Sequence, residues 1–315
     1  MDLQTFLAVV LFLVGLVLIV KGGDLFVDAA TWMAEASGMP KFLIGATIVS
    51  LATTLPEVIV SLMAAVQRST EMAIGNAVGS VTANTGLILA VSLIFMPAVI
   101  RRRQIAFKGI LMIFSILTLW LLSRDGSLSL FESLLVLLLF VAFIIENISQ
   151  AGTEASSREK AAVEKGDLGK NVLKFLLGAA GLVVGSRLLV DNGTLLAQAF
   201  GVSERVIAVT MVAIGTSLPE LVTAITAIVK KQASLSVGNI LGANIIDVTV
   251  ILPLCALVSG GSLPVASSSA AYDMPVCLAV AAVAVVPTLI WKRFSRIQGI
   301  VLVAIYVAYL SLTVL

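Results

Sequence analysis

The chain has 315 residues, of which 59% are hydrophobic and only 12% are charged. A soluble globular domain carries about 25% charged residues, so this composition excludes a soluble globule. A net charge of +2 and the lack of a long basic stretch give no support for a nucleic-acid surface. The chain has no histidine, and its two cysteines lie in apolar stretches. Zinc binding, histidine-based catalysis and a disulfide framework are therefore not expected.

Long apolar runs predict an all-α polytopic membrane protein, because about 20 apolar residues cross the hydrocarbon core as a helix. We predict ten transmembrane helices, with helices 2 and 7 broken. They lie near residues 4–21, 41–66, 72–97, 106–122, 128–148, 170–190, 204–229, 233–258, 274–291 and 297–314.

One polar segment, residues 149–169, divides the chain near its middle. It separates a first half, residues 1–148, from a second half, residues 170–315, and each half contains five predicted spans. The segment is too short to hold a folded domain of its own. We therefore predict two membrane halves joined by a linker.

The distribution of positive charge predicts the orientation of the chain. If the N-terminus is outside, 16 of the 20 Lys and Arg residues, Lys108 among them, fall in or beside cytoplasmic loops. Cytoplasmic loops of membrane proteins carry such an excess. We expect a multi-pass protein of the cell (inner) membrane, with both termini outside and the central linker in the cytoplasm.

The two halves of the sequence repeat each other. A shift of 163 residues aligns them without a gap, and each half holds an odd number of spans, so the second copy enters the membrane inverted. Inverted repeats are typical of secondary transporters whose site lies near the midplane. Identical matched pairs are Gly22 with Gly185, Asp28 with Asp191, Leu55 with Leu218, Pro56 with Pro219, Glu57 with Glu220, Asn76 with Asn239 and Gly79 with Gly242.

Polar residues interrupt two of the predicted spans at matching places, residues 45–57 and 212–220. Each segment carries a proline, several hydroxyls and a carboxylate, Glu57 or Glu220. A carboxylate in mid-membrane is costly, and proline breaks the helical hydrogen-bond ladder and leaves carbonyls free. Both features indicate a functional site within broken helices.

Helical spacing brings further oxygen atoms to the same place. Hydroxyls three or four residues before each glutamate share its helix face. The next span of each half adds a polar stripe, in which Asn84 of the first half corresponds to Asp247 of the second. Hard oxygen ligands of this kind suit Ca²⁺, which takes six to eight oxygens, and not copper or zinc. The set comprises Thr53, Thr54, Glu57, Ser80, Asn84, Thr216, Ser217, Glu220 and Asp247.

Both interrupted segments, with the Gly-Asn-x-x-Gly stretches that follow them, resemble the two alpha-repeats of the cation/Ca²⁺ antiporter superfamily. The Leu-Pro-Glu form is similar to the sodium/calcium exchanger branch in its minimal prokaryotic form. The resemblance implies exchange of Ca²⁺ for Na⁺ by alternating access, with Glu57 and Glu220 binding Ca²⁺. It also implies that neighbouring hydroxyls bind Na⁺, and that the carbonyls of Ser50 and Ala213 contribute.

The sequence departs from the family pattern in one place that bears on the coupling ion. Ala243 stands where the family often has serine and where the first half keeps Ser80. The resemblance therefore leaves H⁺- or K⁺-coupled antiport of Ca²⁺ or another divalent cation as alternatives. An ion channel fits less well, because channel selectivity filters are usually built by several subunits. Here the two halves of one chain supply the whole set of oxygen ligands, which we call the cage. No P-loop, nucleophile elbow or His-Glu-x-x-His motif indicates an enzyme. We expect no cofactor and no obligatory protein partner, only the two ions and the bilayer.

Overall fold

The computed structural model describes residues 3–96, 102–155, 165–201 and 215–314. Helices make up nearly all of this part of the chain. They are α1 (Leu3–Ser37), α2 (Lys41–Thr53), α3 (Leu55–Val66), α4 (Thr70–Phe95), α5 (Arg102–Leu122), α6 (Leu130–Ala155), α7 (Lys165–Ala199), α8 (Leu218–Val229), α9 (Ala233–Val258), α10 (Ser269–Trp291) and α11 (Arg296–Val314). Two short strands, β1 (Ser127–Ser129) and β2 (Ser262–Pro264), complete the fold.

The prediction of an all-helical polytopic membrane fold is confirmed. Within the described ranges, eight helices are long and apolar enough to span a membrane, and the bent pair α2 and α3 makes a ninth span. The shorter apolar helix α8 follows residues 202–214, which lie outside the described part of the chain. The predicted first half of broken helix 7 and Ala213 therefore also lie outside the described residues.

Helices α1 and α7 are longer than their apolar stretches. The sequence predicted spans at 4–21 and 170–190, but α1 continues to Ser37 and α7 begins at Lys165 and continues to Ala199. A glycine with positive φ follows each end, Gly38 at 72° and Gly201 at 76°. Glycine takes this left-handed conformation readily, which explains why the helices end there and not at the first charged residue.

Glycines let α1 and α7 approach each other closely. A Cβ atom placed on Gly22 would lie 2.9 Å from the Gly178 carbonyl oxygen, and one on Gly178 would lie 2.9 Å from that of Gly22. Gly15 and Gly185 make the same reciprocal contact at 3.0 and 2.9 Å. Small residues of this kind permit close packing of membrane helices, where apolar side chains gain little by leaving lipid.

Two glycines of α9, spaced as Gly-x-x-x-Gly, also make a close helix contact. Gly238 and Gly242 lie against α2, and a Cβ on Gly242 would fall 2.6 Å from the Ala46 carbonyl oxygen. The corresponding pair in α4, Gly75 and Gly79, has open space within 4 Å. Of the two matched glycine pairs, only the one in α9 is therefore in close contact with another helix.

Lys108, which the sequence analysis counted among residues in or beside cytoplasmic loops, is buried inside the protein. Its side chain is fully buried, with Nζ 2.6 Å from Glu146 Oε2 and 5.6 Å from the ring centre of Phe42. Glu146, which lies in α6, also bonds Gln150. A charged pair can be buried because each ion compensates the other and polar neighbours satisfy the remaining donors and acceptors.

The strands form a small antiparallel ribbon at one end of the helices. Leu128 lies opposite Leu263, and both are fully buried. The ribbon joins the connection between α5 and α6 to the connection between α9 and α10, so these two connections lie on the same face of the protein.

The packing of α1 on α7 predicts that Gly178→Ala destabilises the protein. A methyl group there would meet the Phe26 amide nitrogen at 2.7 Å, and such overpacking costs about 1–3 kcal/mol. Thermal unfolding in detergent should show a lower midpoint. The control is Gly169→Ala on the same helix, where nothing lies within 4 Å and where alanine improves helix propensity. Equal midpoints for the two variants would contradict the packing account.

Candidate functional site

The first predicted helix break lies at Thr54. Helices α2 and α3 meet there at an angle of 44°, and Pro56 occupies the first turn of α3, where its missing N–H costs nothing. Helix α8 begins in the same way, with Pro219 in its first turn after the turn residues Thr216 and Ser217. Sequence and structure therefore agree on how the chain enters both short helices.

Glu57 and Glu220 occupy the first turns of α3 and α8, where the positive end of the helix dipole faces a carboxylate favourably. Their side chains are 1% exposed, and Asp247 on α9 is fully buried. Among the described residues, none of the ion pairs involves these three carboxylates. Burying three ionised acidic groups without a basic partner is strongly unfavourable, and bound cations would remove this cost.

Many oxygen atoms of the predicted site are buried but have no hydrogen-bond partner in the part of the chain that the structure describes. An unpartnered buried acceptor costs about 1–3 kcal/mol, so such a concentration requires an explanation. The atoms are Thr54 Oγ1, Glu57 Oε2, Ser80 Oγ, Asn84 Oδ1, both carboxylate oxygens of Glu220 and both of Asp247. All are hard ligands of the type that Ca²⁺ and Na⁺ accept.

The carboxylates are distributed through the site. Within the described ranges, no three Asp, Glu or Cys side chains converge closely enough to hold a metal ion by themselves. Amide, hydroxyl and backbone oxygens must therefore supply the remaining ligands. This arrangement suits hard cations that take many neutral oxygens.

Two asparagines tie the halves together across the site. Thr53 Oγ1 donates a hydrogen bond to Asn239 Oδ1 at 3.1 Å, and Thr216 Oγ1 donates one to Asn76 Oδ1 at 3.2 Å. The shift of 163 residues converts one bond into the other. Asn76 Nδ2 also donates to the carbonyl of Glu57 at 3.2 Å. These asparagines lie beside the predicted ligands as cross-helix braces, a role that asparagine has in other membrane helices.

The remaining predicted residues lie in the same region. Ser217 Oγ is 3.4 Å from Glu57 Oε1 and donates to it, which connects the break of one half to the carboxylate of the other. The carbonyl of Ser50 accepts from the Thr54 amide at 3.0 Å and from Thr53 Oγ1 at 3.4 Å. Ser50 is fully buried, and the two groups that bond its carbonyl belong to the proposed ligands Thr53 and Thr54.

Wide helical turns at the site were not predicted. Segments of π-helix cover Gly45–Val49, Asn84–Leu89 and Asp247–Ile251. Two of them begin at the predicted ligands Asn84 and Asp247, which are matched positions of the two halves. Such π turns insert an extra residue into the helix and are frequent at functional sites.

Asn244 is a further buried polar residue that the sequence reading missed. Its Nδ2 donates to Thr85 Oγ1 at 2.8 Å, whereas its Oδ1 has no partner within the protein. Thr85 follows Asn84 directly, and Asn244 precedes Asp247 by three residues. The bond therefore links α4 and α9 beside the two wide turns. The repeat gave no signal for it, because the matched residue of the first half is Val81.

Comparison with known proteins identifies the family. The family model described as "Sodium/calcium exchanger protein" matches residues 7–148 and 170–315. The chain belongs to the sodium/calcium exchanger family. The family resemblance stated from the two repeated motifs is thus confirmed.

Individual relatives match this family member over nearly their whole length. The sodium/calcium exchanger MaX1 of Methanosarcina acetivorans is 30% identical, with 95% of this chain and 96% of the relative covered. The inner membrane protein YrbG of Escherichia coli is 34% identical over 97% and 96%. A solved structure of the sodium-calcium exchanger NCX_Mj, soaked with Na⁺ and Sr²⁺, superimposes with a TM-score of 0.86 at 27% identity, covering 98% and 99% of the two chains.

The link between α4 and α9 predicts that Thr85→Val destabilises this exchanger. Valine keeps the shape but leaves Asn244 Nδ2 with only the weak Met112 sulfur acceptor at 3.5 Å, so we expect a loss of about 1–3 kcal/mol. Thermal unfolding in detergent measures it. Thr249→Val is the control, because that buried hydroxyl bonds only the Ile245 carbonyl of its own helix. The two variants should differ clearly; matching midpoints would count against the link.

Proposed function

We propose that the chain exchanges Ca²⁺ for Na⁺ by alternating access at the buried cage. The observation that carries the proposal is the set of three buried carboxylates that have no basic partner among the described residues and lie among other unpartnered oxygens, in a member of the sodium/calcium exchanger family. The proposed ligands are Glu57, Glu220, Asp247, Asn84, Thr53, Thr54, Thr216, Ser217, Ser80 and the carbonyls of Ser50 and Ala213.

The charge of the cage supports exchange between these two ions. If all three carboxylates are ionised, one Ca²⁺ leaves a single uncompensated negative charge, whereas three Na⁺ leave none. Net charge buried in the membrane is strongly disfavoured, so the cage with three Na⁺ (net 0) or one Ca²⁺ (net −1) crosses more easily than the empty cage (net −3). The two ions compete for overlapping ligands, which couples their movements in opposite directions.

The inverted five-helix repeat forms part of the same proposal. We divide the chain into ten helices in two halves, residues 1–148 and 170–315, joined by the linker 149–169. The exchanged pair of bonds, Thr53 with Asn239 and Thr216 with Asn76, supports a two-fold relation between the halves. The reciprocal glycine contacts of α1 and α7 support it as well. Substrate sites at the interface of such repeats are common among secondary transporters.

We place the protein in the cell (inner) membrane. In the proposed orientation both termini are outside and the central linker is in the cytoplasm. The excess of Lys and Arg in alternate loops is the main support. The ribbon of β1 and β2 is compatible, because it joins two connections that this topology places outside. No cofactor or protein partner enters the proposed cycle.

Reconstitution into proteoliposomes tests the coupling ion. An outward Na⁺ gradient should drive ⁴⁵Ca²⁺ uptake, whereas K⁺ or H⁺ gradients imposed alone should not. If a pH gradient drives Ca²⁺ and a Na⁺ gradient does not, the exchanger is coupled to protons and the sodium assignment falls. A response to K⁺ alone would replace it by potassium coupling.

Glu57→Gln and Glu220→Gln should each reduce Na⁺-driven Ca²⁺ uptake to background. The amide keeps the size of the side chain but removes the charge that offsets dehydration of a divalent cation. Glu71→Gln, an exposed acidic residue at the start of α4, is the control and should transport normally. Size-exclusion profiles would establish that all three variants fold. Normal uptake by a folded Glu57 or Glu220 variant would rule out its role as an essential ligand.

Ala243→Ser should tighten the apparent Na⁺ affinity with little change for Ca²⁺. Ala243 is fully buried and corresponds to Ser80, whose hydroxyl has no partner among the residues that the structure describes. A serine would restore the missing hydroxyl at the matched position. The Na⁺ and Ca²⁺ dependence of Ca²⁺ efflux should be measured for both proteins. An equal change in both affinities, or a change in that of Ca²⁺ alone, would contradict a Na⁺ site at this position.

A further inference from the structure

The two faces of the cage differ in access. On one face a cavity of about 390 Å³ lies between α3 and α7. Thr216 and Pro56, which belong to the cage and its helix break, line this cavity together with the exposed residues Arg187 and Asp191. The cavity therefore connects the surface of α7 with the proposed ligand Thr216. We call this side of the protein the Asp191 face.

The matching place on the other face is packed closed. Gly23, the counterpart of Ser186 in the cavity wall, lies against α8, so a Cβ there would be 2.9 Å from Val222 Cγ1 and 3.0 Å from Thr226 Oγ1. Thr53, the counterpart of Thr216, is 1% exposed. Helix α1 thus covers the cage on this side, while the corresponding surface of α7 borders the cavity.

A cluster of charges joins α1 to the end of α8 on the closed side. Lys230 Nζ is 2.8 Å from Asp28 Oδ1 and 3.4 Å from Asp24 Oδ1. It also donates to the Asp24 carbonyl at 3.4 Å. The side chain of Lys230 is 25% exposed and those of the two aspartates about half exposed. We call this side the Lys230 face.

The repeat does not reproduce this cluster on the Asp191 face. The shift of 163 residues takes Asp24 to Arg187, Asp28 to Asp191 and Lys230 to Gln67. The matched position at the end of α3 is therefore neutral and cannot form the ion pair. The closed side carries the complete cluster, and the open side lacks its central cation.

We propose that Lys230, Asp24 and Asp28 form an ion-pair gate that holds α1 against α8 and biases the exchanger towards opening on the Asp191 face. The inference rests on the proposed alternating access, and the proposed orientation places the gate in the cytoplasm. The three residues bind no transported ion. They act through the packing of α1, and hence on the populations of the two access states.

The size of the effect follows from the exposure of the cluster. Partly exposed ion pairs contribute little each, so the gate adjusts the equilibrium and does not lock it. Breaking it should change the population ratio about two- to fivefold. Apparent affinity depends on the fraction of protein in the competent state. A weaker gate therefore improves affinity for cations added on the Lys230 face and does not improve it on the Asp191 face.

Thiol labelling tests the gate without relying on transport. Thr226→Cys places a thiol at the contact between α1 and α8, and the two native cysteines are buried. Adding Lys230→Gln should speed modification of this thiol by a water-soluble maleimide about two- to fivefold. Lys231→Gln removes the same charge from the neighbouring exposed residue and should leave the rate unchanged. Exchanging the charges, Lys230→Asp with Asp28→Lys, should return the rate towards that of the parent.

Apparent Ca²⁺ affinity on each face gives the second readout. Lys230→Gln should lower the apparent Ca²⁺ Kd on the Lys230 face only, and Lys231→Gln should not. Equal effects of the two variants would show that general surface charge acts and not the ion pair, which would contradict the gate. An unchanged labelling rate in Lys230→Gln would also overturn it. Because labelling does not depend on the driving cation, a failed Na⁺ coupling assay and a failed gate give different results.

Discussion

The structure depends on one constraint, which is that three carboxylates are buried among membrane-spanning helices without a basic partner in the described part of the chain. Elsewhere the protein solves the same problem by pairing, as Lys108 does with Glu146. At the cage we propose that the transported cations supply the compensation. The helix breaks follow from this choice, because they bring Glu57 and Glu220 into the first turns of short helices, where the dipole partly offsets their charge. In the proposed function, bound cations compensate the remaining negative charge.

A site that must release its ions also needs walls that hold their shape when the ions leave. The asparagine braces between the halves provide this, since Asn76 and Asn239 bond threonines of the opposite repeat. Close glycine contacts hold α2 against α9 beside Ser50. Helices α1 and α7 lie on the outside of the cage, and glycines allow them to pack closely against each other. That division into a braced cage and a paired outer element suits a gating motion that leaves the ligands in place.

The sequence allowed prediction of those features that local spacing determines. Glu57, its hydroxyls and Pro56 lie within one helical turn of each other, and the repeat supplied an independent copy around Glu220. Features that depend on the register between helices could not be predicted. The pairing of Lys108 with Glu146 joins residues 38 apart, and Asn244 meets Thr85 across 159 residues. The π turn at Asp247 has no signature in composition, because the same residues also fit an ordinary helix. Whether the predicted ligands bind ions remains a prediction.

The repeat is as informative where it fails as where it holds. A perfect two-fold cage would carry either two carboxylates or four, since every acidic residue would have an acidic counterpart. Asn84 in place of a second aspartate opposite Asp247 gives an odd number instead. With three charges, no whole number of divalent ions neutralises the cage, whereas monovalent ions can. The departure from symmetry thus makes the two kinds of cargo electrostatically unequal, because three Na⁺ can neutralise the three carboxylates whereas one Ca²⁺ leaves a single negative charge.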